Sequence, residues 1–190
     1  METVEFWRGS FGQEYTKRNR PNWRDRVPFW ERIIERTNAQ SVLDVGCNVG
    51  WNLLALRSFS DIPMTGIDVN PLALLEAQTH GLDVAEGRAD QVAEYFGAGA
   101  ADLVVTSGVL IHIAPDDLMA SMTAIRDASS QYVLAVEYEA QDETEVDYRG
   151  HKGRLWKRDY GGLYESIGLS LVEYGPAQGF DRCMFWLLEK

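Results

Sequence analysis

A strand-like apolar run that leads into an acidic glycine turn is the feature that most constrains this fold. The run Ser41–Leu43 continues directly into Asp44–Gly50, whose sequence is DVGCNVG. Glycines at a strand-to-helix turn let the backbone lie close to a ligand, because no Cβ stands in the way. The pattern is typical of the first βα unit of a doubly wound parallel sheet, which binds its ligand at the carboxyl ends of the strands. An ordinary glycine turn after a buried strand would look the same.

The acid inside this turn indicates which of two kinds of ligand the turn can bind, a dinucleotide or S-adenosylmethionine. Asp44 stands two residues before Gly46, where its carboxylate would repel the pyrophosphate of a dinucleotide but attract the ammonium group of S-adenosylmethionine. A second apolar run, Met64–Asp68, also ends in an acid, at the spacing of one βαβ unit. A carboxylate there can accept hydrogen bonds from two ribose hydroxyls. We therefore predict that the chain binds S-adenosylmethionine.

Composition and charge limit the classes of protein to be considered. The chain has 190 residues and a formal net charge of −11, which makes nucleic acid an unlikely partner because phosphate contacts need clustered lysine and arginine. Its two cysteines, Cys47 and Cys183, predict neither a metal site nor a disulfide framework. No apolar run has the length of a signal peptide or a membrane span. We predict a cytoplasmic protein without membrane association, and the sequence leaves its oligomeric state open.

Short apolar runs alternate with helical segments along the chain, as in a parallel sheet covered on both faces. The last two runs have no helix between them, and the turn-rich stretch Gly175–Gly179 predicts a hairpin there. We predict an α/β fold with a seven-stranded Rossmann-like sheet, helices on both faces and an antiparallel last strand. The predicted strands are Ser41–Val45, Met64–Asp68, Asp83–Glu86, Asp102–Thr106, Tyr132–Tyr138, Leu169–Tyr174 and Met184–Leu188. The predicted helices are Pro28–Thr37, Asn52–Ser58, Pro71–His80, Gln91–Phe96, Asp116–Ala128 and Arg158–Ile167.

The N-terminal segment is too aromatic for a disordered tail, so it must pack against the rest of the chain. It could cover the cofactor crevice as a lid, with Tyr15, Arg18 and Asn19 closing over the methionine end, or it could pack on the edge of the sheet. We predict a single domain, residues 1–190, with a lid segment at 1–37 and a Rossmann-like core at 38–190.

The adenine ring of the cofactor is expected near the segment that follows the third strand. Ala89 and Asp90 lie there, although Asp90 could equally cap the next helix. The complete set of predicted cofactor-binding residues is Tyr15, Arg18, Asp44, Gly46, Asn48, Gly50, Asp68, Val69, Ala89, Asp90 and Ser107.

His112 follows the fourth strand and is the candidate base, because the unperturbed pKa of histidine is about 6.5. Flanked by Ile111 and Ile113, it could instead be a packed structural residue. Transfer from an activated sulfonium can gain much of its rate from positioning, so a base is not required. The fifth strand ends in Glu137 and Tyr138, and we predict that these two residues act with His112 as catalytic residues.

A long loop follows the fifth strand, and its composition switches abruptly from acidic to basic and aromatic. Loops at the carboxyl edge of such a sheet often form the substrate site, whereas a solvated charged loop is the alternative. We predict that Glu139, Tyr148, Arg149 and His151 bind the methyl acceptor.

Several motifs together resemble those of one known family. They are the aromatic N-terminal segment Phe6–Asn19, the turn Asp44–Gly50, Gly108–Ile113, the Tyr-Arg-Gly-His loop Tyr148–His151, and Lys157–Tyr160. The chain is similar in these segments to the class I S-adenosylmethionine-dependent methyltransferases called pseudaminic acid biosynthesis-associated methylases. The resemblance covers nearly the whole chain, and it implies methyl transfer in a sugar pathway.

The predicted function is methyl transfer from S-adenosylmethionine to a polar small molecule. The acceptor could be an intermediate of a sugar pathway. It could also be an amine, guanidine or carboxylate of natural-product biosynthesis. The negative net charge of the chain, together with Glu137 and Glu139, favours a cationic acceptor. One alternative is a methyltransferase that acts on a protein or a tRNA nucleotide. The other is an inactive cofactor-binding subunit of a larger complex.

Overall fold

The strands form where the apolar runs of the sequence can be buried, and seven of them join in one sheet. The structure is a computed structural model that describes residues 2–190. The strands are β1 (Val42–Val45), β2 (Met64–Asp68), β3 (Val84–Glu86), β4 (Ala101–Ser107), β5 (Ser129–Glu137), β6 (Thr144–Glu145), β7 (Trp156–Lys157), β8 (Ser170–Pro176) and β9 (Met184–Glu189). The short strands β6 and β7 pair only with each other.

Within residues 2–190, eight α-helices connect or cover these strands. They are α1 (Glu2–Arg8), α2 (Ser10–Arg18), α3 (Val27–Thr37), α4 (Trp51–Arg57), α5 (Pro71–Thr79), α6 (Val92–Phe96), α7 (Pro115–Ala128) and α8 (Tyr160–Ser166). Short 3-10 turns lie at Trp23–Arg26, Ala89–Gln91 and Leu110–His112. The start of α5 follows the sequence closely, because the side chain of Asn70 accepts hydrogen bonds from the backbone N–H groups of Leu72 and Ala73.

The strand order places the ligand crevice. The sheet runs β3-β2-β1-β4-β5-β9-β8, with β1 to β5 parallel and β9 antiparallel to both of its neighbours. The chain moves outward from β1 in one direction and returns to β4 on the other side. Such a reversal opens a crevice at the carboxyl ends of the two strands.

Alternate residues of the central strands feed two separate hydrophobic cores. Leu43 and Val45 of β1 pack in one core with residues of α7 and α8. Val42 faces the other way and packs with Phe29 and Trp30 of α3. The central strands are therefore buried on both faces, as a parallel sheet requires.

The predicted fold class is confirmed, and the differences from the predicted elements are small. The predicted helix at Arg158–Ile167 begins too early: α8 starts at Tyr160, because Asp159 accepts a hydrogen bond from the N–H of Gly162 and caps the helix. The predicted turn at Gly175–Gly179 is displaced, because β8 continues through Pro176 in pairing with β9. Two α-helices, α1 and α2, form at the N-terminus, where no individual helix was predicted.

Candidate active site

One cavity opens at the carboxyl ends of β1, β2 and β4, where the strand order reverses. It contains about 1230 Å³ of empty space, including the part open to solvent. Eight of the predicted cofactor-binding residues line it: Tyr15, Gly46, Asn48, Asp68, Val69, Ala89, Asp90 and Ser107. His112 also lines the cavity, whereas none of the other predicted catalytic or substrate-binding residues does so.

The glycine turn after β1 brings the backbone up to this cavity. Gly46 has a φ of +76°, and a Cβ on it would collide with the side chain of Val109. Its N–H donates to the carbonyl of Ile67 at 2.7 Å, which ties the turn to β2. A larger residue at this position is therefore excluded by both conformation and packing.

Asp68 is held in one orientation by the backbone around it. Its Oδ2 accepts from the N–H of Asn48 and its Oδ1 from the N–H of Asn70, both at 2.8 Å. Burial raises the pKa of this carboxyl, and the backbone hydrogen bonds oppose that shift. The side chain belongs to the cavity wall, at the tip of β2. Carboxylate oxygens retain unused lone pairs after one hydrogen bond each, so Asp68 can still accept from a ligand.

Three polar residues form a chain behind the turn. Nη1 of Arg26 donates to Oδ1 of Asn52 at 2.8 Å, and the amide nitrogen of Asn52 lies 3.4 Å from Oδ2 of Asp44. Asp44 is 1% exposed. Burial raises the pKa of Asp44 to about 7, although Asn52 and Arg26 both act to lower it. Asp44 itself is not on the cavity wall, but Arg26 and Asn52 are.

Buried polar atoms without partners concentrate around the cavity. Within residues 2–190 they include Oδ1 of Asp44, Nε of Arg26, Oδ1 of Asn48 and the indole nitrogens of Trp7 and Trp51. Buried polar groups are normally hydrogen-bonded, and leaving one unpaired costs about 1–3 kcal/mol. Such a concentration of donors and acceptors indicates a site that a polar ligand completes.

His112 sits at the end of the 3-10 turn after β4. Its Nδ1 lies 2.6 Å from the carbonyl oxygen of Arg154, and its ring packs against Trp7 and Tyr148 at 4.5 and 4.9 Å between centroids. Burial lowers the pKa of His112 to about 4, so the ring is neutral at pH 7. This environment is compatible with both interpretations of His112, the packed residue and the base.

Glu137 lies beneath this turn and not on the cavity wall. It is fully buried, and its carboxylate accepts from the backbone N–H groups of Val109 and Leu110 at 3.1 Å and of Ile111 at 3.4 Å. Burial raises the pKa of Glu137 to about 7, against the effect of these hydrogen bonds. The contacts anchor the backbone that carries His112, which gives Glu137 a positioning role in place of contact with a substrate.

The other predicted catalytic and substrate-binding residues do not line the cavity. The hydroxyl of Tyr138 donates to Asp181 at 2.9 Å, and the carboxylate of Glu139 accepts from Tyr174 at 2.8 Å, beside a second and separate pocket. Tyr148 and His151 pack against aromatic residues of α1 and α2. Arg149 lies in an exposed turn with a φ of +55°. Tyr148 contacts His112 through its ring, but Tyr138, Glu139 and Arg149 do not join them at the cavity.

Helices α1 and α2 contribute to the wall of the cavity. Thr3, Val4, Trp7, Tyr15 and Asn19 all contribute to its wall. The segment is tied to the core by the buried hydroxyl of Thr16, which accepts from the side-chain amides of Asn48 and Asn70. Arg18 points away from the cavity, with its guanidinium 4.9 Å from the ring of Phe11. Residues of α1 and α2 therefore border the crevice, and closure of this segment over a bound cofactor stays a prediction.

The two residues predicted for the adenine side lie on the cavity wall, and neither of them caps a helix. Ala89 and Asp90 both line the cavity. Asp90 forms a bidentate ion pair with Arg88, at 2.8 and 2.6 Å, and its side chain caps neither the 3-10 turn nor α6. Its oxygens keep lone pairs for a further hydrogen bond.

Arg26, Asn52 and Trp7 are among the cavity residues that the sequence did not predict. Arg26 and Asn52 belong to helical segments that could only be assigned to packing, and Trp7 was noted as part of an aromatic cluster and not as a contact. Asn52 could have been predicted as a cavity residue, because it is a polar residue in the first turn of α4, directly after the glycine turn. No comparable signal marked Arg26, because only the tertiary fold brings the start of α3 to the end of β1.

The chain has one family match and many structural neighbours. Residues 42–131 match the family described as a methyltransferase domain. Magnesium protoporphyrin IX methyltransferase from Synechocystis PCC 6803, solved with bound SAH, is 14% identical with a TM-score of 0.71; the match covers 100% of this chain and 98% of that one. A protein from Pyrococcus horikoshii OT3 is also 14% identical, with a TM-score of 0.70 over 97% and 98% of the two chains.

A third neighbour is 1,6-didemethyltoxoflavin-N1-methyltransferase from Burkholderia thailandensis, solved with 1,6-didemethyltoxoflavin and S-adenosylhomocysteine. It is 16% identical with a TM-score of 0.71, over 95% of this chain and 86% of that chain. No curated protein sequence matches the chain. The neighbours confirm the predicted fold. The domain match confirms the predicted enzyme class, an S-adenosylmethionine-dependent methyltransferase, and with it the predicted cofactor.

Within residues 2–190, no helix combines the length and the apolar character that crossing a membrane requires.

Proposed function

We propose that this methyltransferase transfers a methyl group from S-adenosylmethionine to a polar small molecule. The observation that carries the proposal is the set of unpartnered buried polar atoms around the cavity, above all Oδ1 of Asp44 and Nε of Arg26. The carboxylate and the guanidinium each bond to Asn52 and each keep one polar atom without a partner, which fits a zwitterion such as the methionine end of the cofactor. The cofactor supplies the reactive methyl group on a sulfonium.

The side chains of the cavity wall, with Asp44 directly behind it, can be assigned to the separate parts of this cofactor. Asp68, fixed by two backbone hydrogen bonds, is suited to the two ribose hydroxyls. Arg26 is suited to the carboxylate and Asp44 to the amino group, with Asn52 keeping the two in register. Ala89 and Asp90 remain for the adenine ring.

His112 is the one predicted catalytic residue on the cavity wall, and we assign it the acceptor side of the site. Glu137 holds the turn on which His112 sits, so its contribution is positional. Neither Glu137 nor Glu139 faces the cavity, and the charge argument for an amine or guanidine acceptor therefore loses its basis.

A small acceptor is favoured over a macromolecule by the helices that border the cavity. Helices α1 and α2 contribute to its wall, and ion pairs of Arg8 with Glu86 and of Arg20 with Glu76 hold them to the core. A protein or tRNA nucleotide would have to displace these helices. A sugar-pathway intermediate or a natural-product precursor is small enough to be enclosed.

Labelling of fractionated extracts tests the acceptor class. The protein is incubated with methyl-labelled S-adenosylmethionine and, separately, with the small-molecule, tRNA and protein fractions of a bacterial extract. We expect label in the small-molecule fraction, in a reaction that an Asp68→Ala variant does not support. Label in the tRNA or protein fraction would establish the macromolecular alternative. Cofactor binding with no transfer to any fraction would favour the inactive subunit.

Replacing Arg26 should weaken cofactor binding, whereas replacing Arg18 should not. We expect Arg26→Gln to lower the affinity for S-adenosylhomocysteine by about tenfold or more, since a charge-assisted hydrogen bond contributes about 1.5–3 kcal/mol. Arg18→Gln is the matched control, because that guanidinium stacks on Phe11 away from the cavity. Titration calorimetry measures both. Equal affinities of the two variants for S-adenosylhomocysteine would show that Arg26 does not bind the cofactor.

Cofactor binding should release a proton from Asp44. Burial raises its pKa to about 7, so roughly half of the free protein carries the proton at pH 7. An ammonium beside the carboxyl would lower that pKa again, and up to about half a proton would leave on binding at pH 7. Calorimetry of S-adenosylhomocysteine in two buffers of different ionisation enthalpy measures this release. Asp44→Asn should abolish it, and an unchanged release in that variant would assign the proton to another group.

A further inference from the structure

The cavity wall beside His112 carries a hydrogen-bond donor and a hydrogen-bond acceptor next to each other. The rings of Trp7 and His112 are 4.5 Å apart between centroids, and both residues line the cavity. The indole N–H of Trp7 is buried and has no partner within the part of the chain that the structure describes. A ligand atom that accepts from this N–H would satisfy it.

The orientation of His112 determines which of its nitrogens can accept. Nδ1 lies 2.6 Å from the carbonyl oxygen of Arg154. A carbonyl oxygen only accepts, so Nδ1 must carry the hydrogen, and Nε2 of the neutral ring then keeps its lone pair. Burial lowers the pKa of His112 to about 4, which keeps the ring neutral at pH 7.

The charges around this point match neither a cationic nor an anionic group. Burial lowers the pKa of His112, and the hydrogen bond to the neutral backbone carbonyl of Arg154 opposes that shift. The charged residues of the cavity wall are Arg26, Asp68, Arg88, Asp90 and Asp117. None of these five side chains is hydrogen-bonded to His112 within residues 2–190, so a charged group at Nε2 would find no charged side chain already held against this ring, and a carboxylate would also meet the Nε2 lone pair.

We propose that Trp7 and His112 bind a neutral hydroxyl group of the methyl acceptor, so that the reaction is an O-methylation of an alcohol, phenol or sugar hydroxyl. The oxygen accepts from the indole N–H of Trp7, and its own O–H donates to Nε2 of His112. This assignment rests on the proposed function. In the transfer step the oxygen forms a bond to the methyl carbon, and the carbon–sulfur bond of the donor breaks with its electron pair kept by sulfur. The hydroxyl proton passes to Nε2 and then to water.

Nuclear magnetic resonance of the protein saturated with S-adenosylhomocysteine tests the assignment without turnover. The indole N–H signals are followed while benzyl alcohol, benzylamine, which is a cation at pH 7, or benzoate is added. These three probes share one ring and differ in the charge of the polar group. We expect benzyl alcohol to produce a saturable shift of the Trp7 signal and to bind at least tenfold more tightly than either charged probe.

Substitutions separate the N–H group from the aromatic ring that carries it. Trp7→Phe keeps a ring but removes the donor, and we expect it to weaken binding of benzyl alcohol at least fivefold. Trp30→Phe is the matched control, because its indole N–H is also buried and without a partner within residues 2–190, but Trp30 packs in the hydrophobic core and does not line the cavity. The control should retain the affinity of the unmodified protein.

Tighter binding of benzylamine or benzoate, or no Trp7 response to benzyl alcohol, would overturn the hydroxyl assignment. Equal binding by Trp7→Phe and the unmodified protein would do the same. Saturation with S-adenosylhomocysteine is verified in the same samples. If that ligand fails to bind, the proposed function fails as well; if it binds, only the hydroxyl assignment is rejected.

Discussion

Replacing Asp68 by alanine should cost the protein most of its affinity for S-adenosylhomocysteine. The carboxylate accepts from two backbone N–H groups and can accept from both ribose hydroxyls, and we expect a loss of about 1.5–3 kcal/mol, or roughly 10- to 150-fold. Calorimetric titration measures the loss. Asp68→Asn, which retains one acceptor oxygen, should lie between alanine and the unmodified protein.

The control for Asp68 is an acid at the other end of a neighbouring strand. Asp83 is exposed just before β3, away from the cavity, and Asp83→Ala should bind as the unmodified protein does. Because Asp68 also holds the backbone of Asn48 and Asn70, thermal unfolding of each variant must be recorded. A folded Asp68→Ala variant with unchanged affinity would place the ribose elsewhere.

Replacing His112 should reduce the rate of methyl transfer far more than cofactor binding. If Nε2 takes up a proton in the rate-limiting step, His112→Ala lowers transfer by about 10² or more. His112→Asn is the more telling variant, because its amide can still donate to the Arg154 carbonyl while nothing replaces Nε2. We expect both variants to lose transfer and to keep their affinity for S-adenosylhomocysteine. The initial rate of label transfer into the small-molecule fraction measures the first effect.

The two histidine variants also distinguish the base from the packed residue. If His112 only packs, asparagine should restore the transfer that alanine loses. Because burial lowers the pKa of His112 to about 4, its titration should leave no inflection in the rate between pH 6 and pH 9. An inflection in that range that disappears in His112→Asn would show that the ring titrates near its unperturbed pKa.

The pH dependence of stability has opposite signs for the buried groups of the site. His112 must be neutral in the folded state, so the protein loses stability as pH falls from about 6.5 towards about 4. Glu137 and Asp44 have raised pKa values of about 7, so their burial costs stability as pH rises from about 4 through 7. These opposed trends favour an optimum of stability on the acidic side of neutrality.

The parts of the fold and site that the sequence predicted depend on local patterns. Apolar runs fix the strands, and the glycine turn at Asp44–Gly50 fixes the first βα connection, because Gly46 must adopt a positive φ beside Val109. The position of Asp68 at the crevice could be predicted, because in this topology an acid at the carboxyl end of the second strand lies beside the crevice. These features need no knowledge of distant contacts.

The parts that could not be predicted depend on contacts between distant segments. Arg26 reaches the end of β1 only through the packing of α3, and Arg18, chosen from the sequence for the same role, lies on Phe11 instead. Glu137 was predicted as a catalytic residue because it ends β5 at the carboxyl edge of the sheet. It is buried instead, because the chain after β4 passes over it and donates three backbone hydrogen bonds to its carboxylate. Alternation along a strand gives the face of a residue but not the loop that will cover it.

Calorimetric titration of the unmodified protein with S-adenosylhomocysteine, and separately with NAD, is the most direct test of the central assignment. Asp44 beside the glycine turn favours a cationic ligand over an anionic one, and Asp68 on the cavity wall can accept hydrogen bonds from ribose hydroxyls. We predict saturable binding of one S-adenosylhomocysteine per chain and no measurable binding of NAD. Binding of NAD without binding of S-adenosylhomocysteine would contradict the assignment of this cavity to the methyl donor.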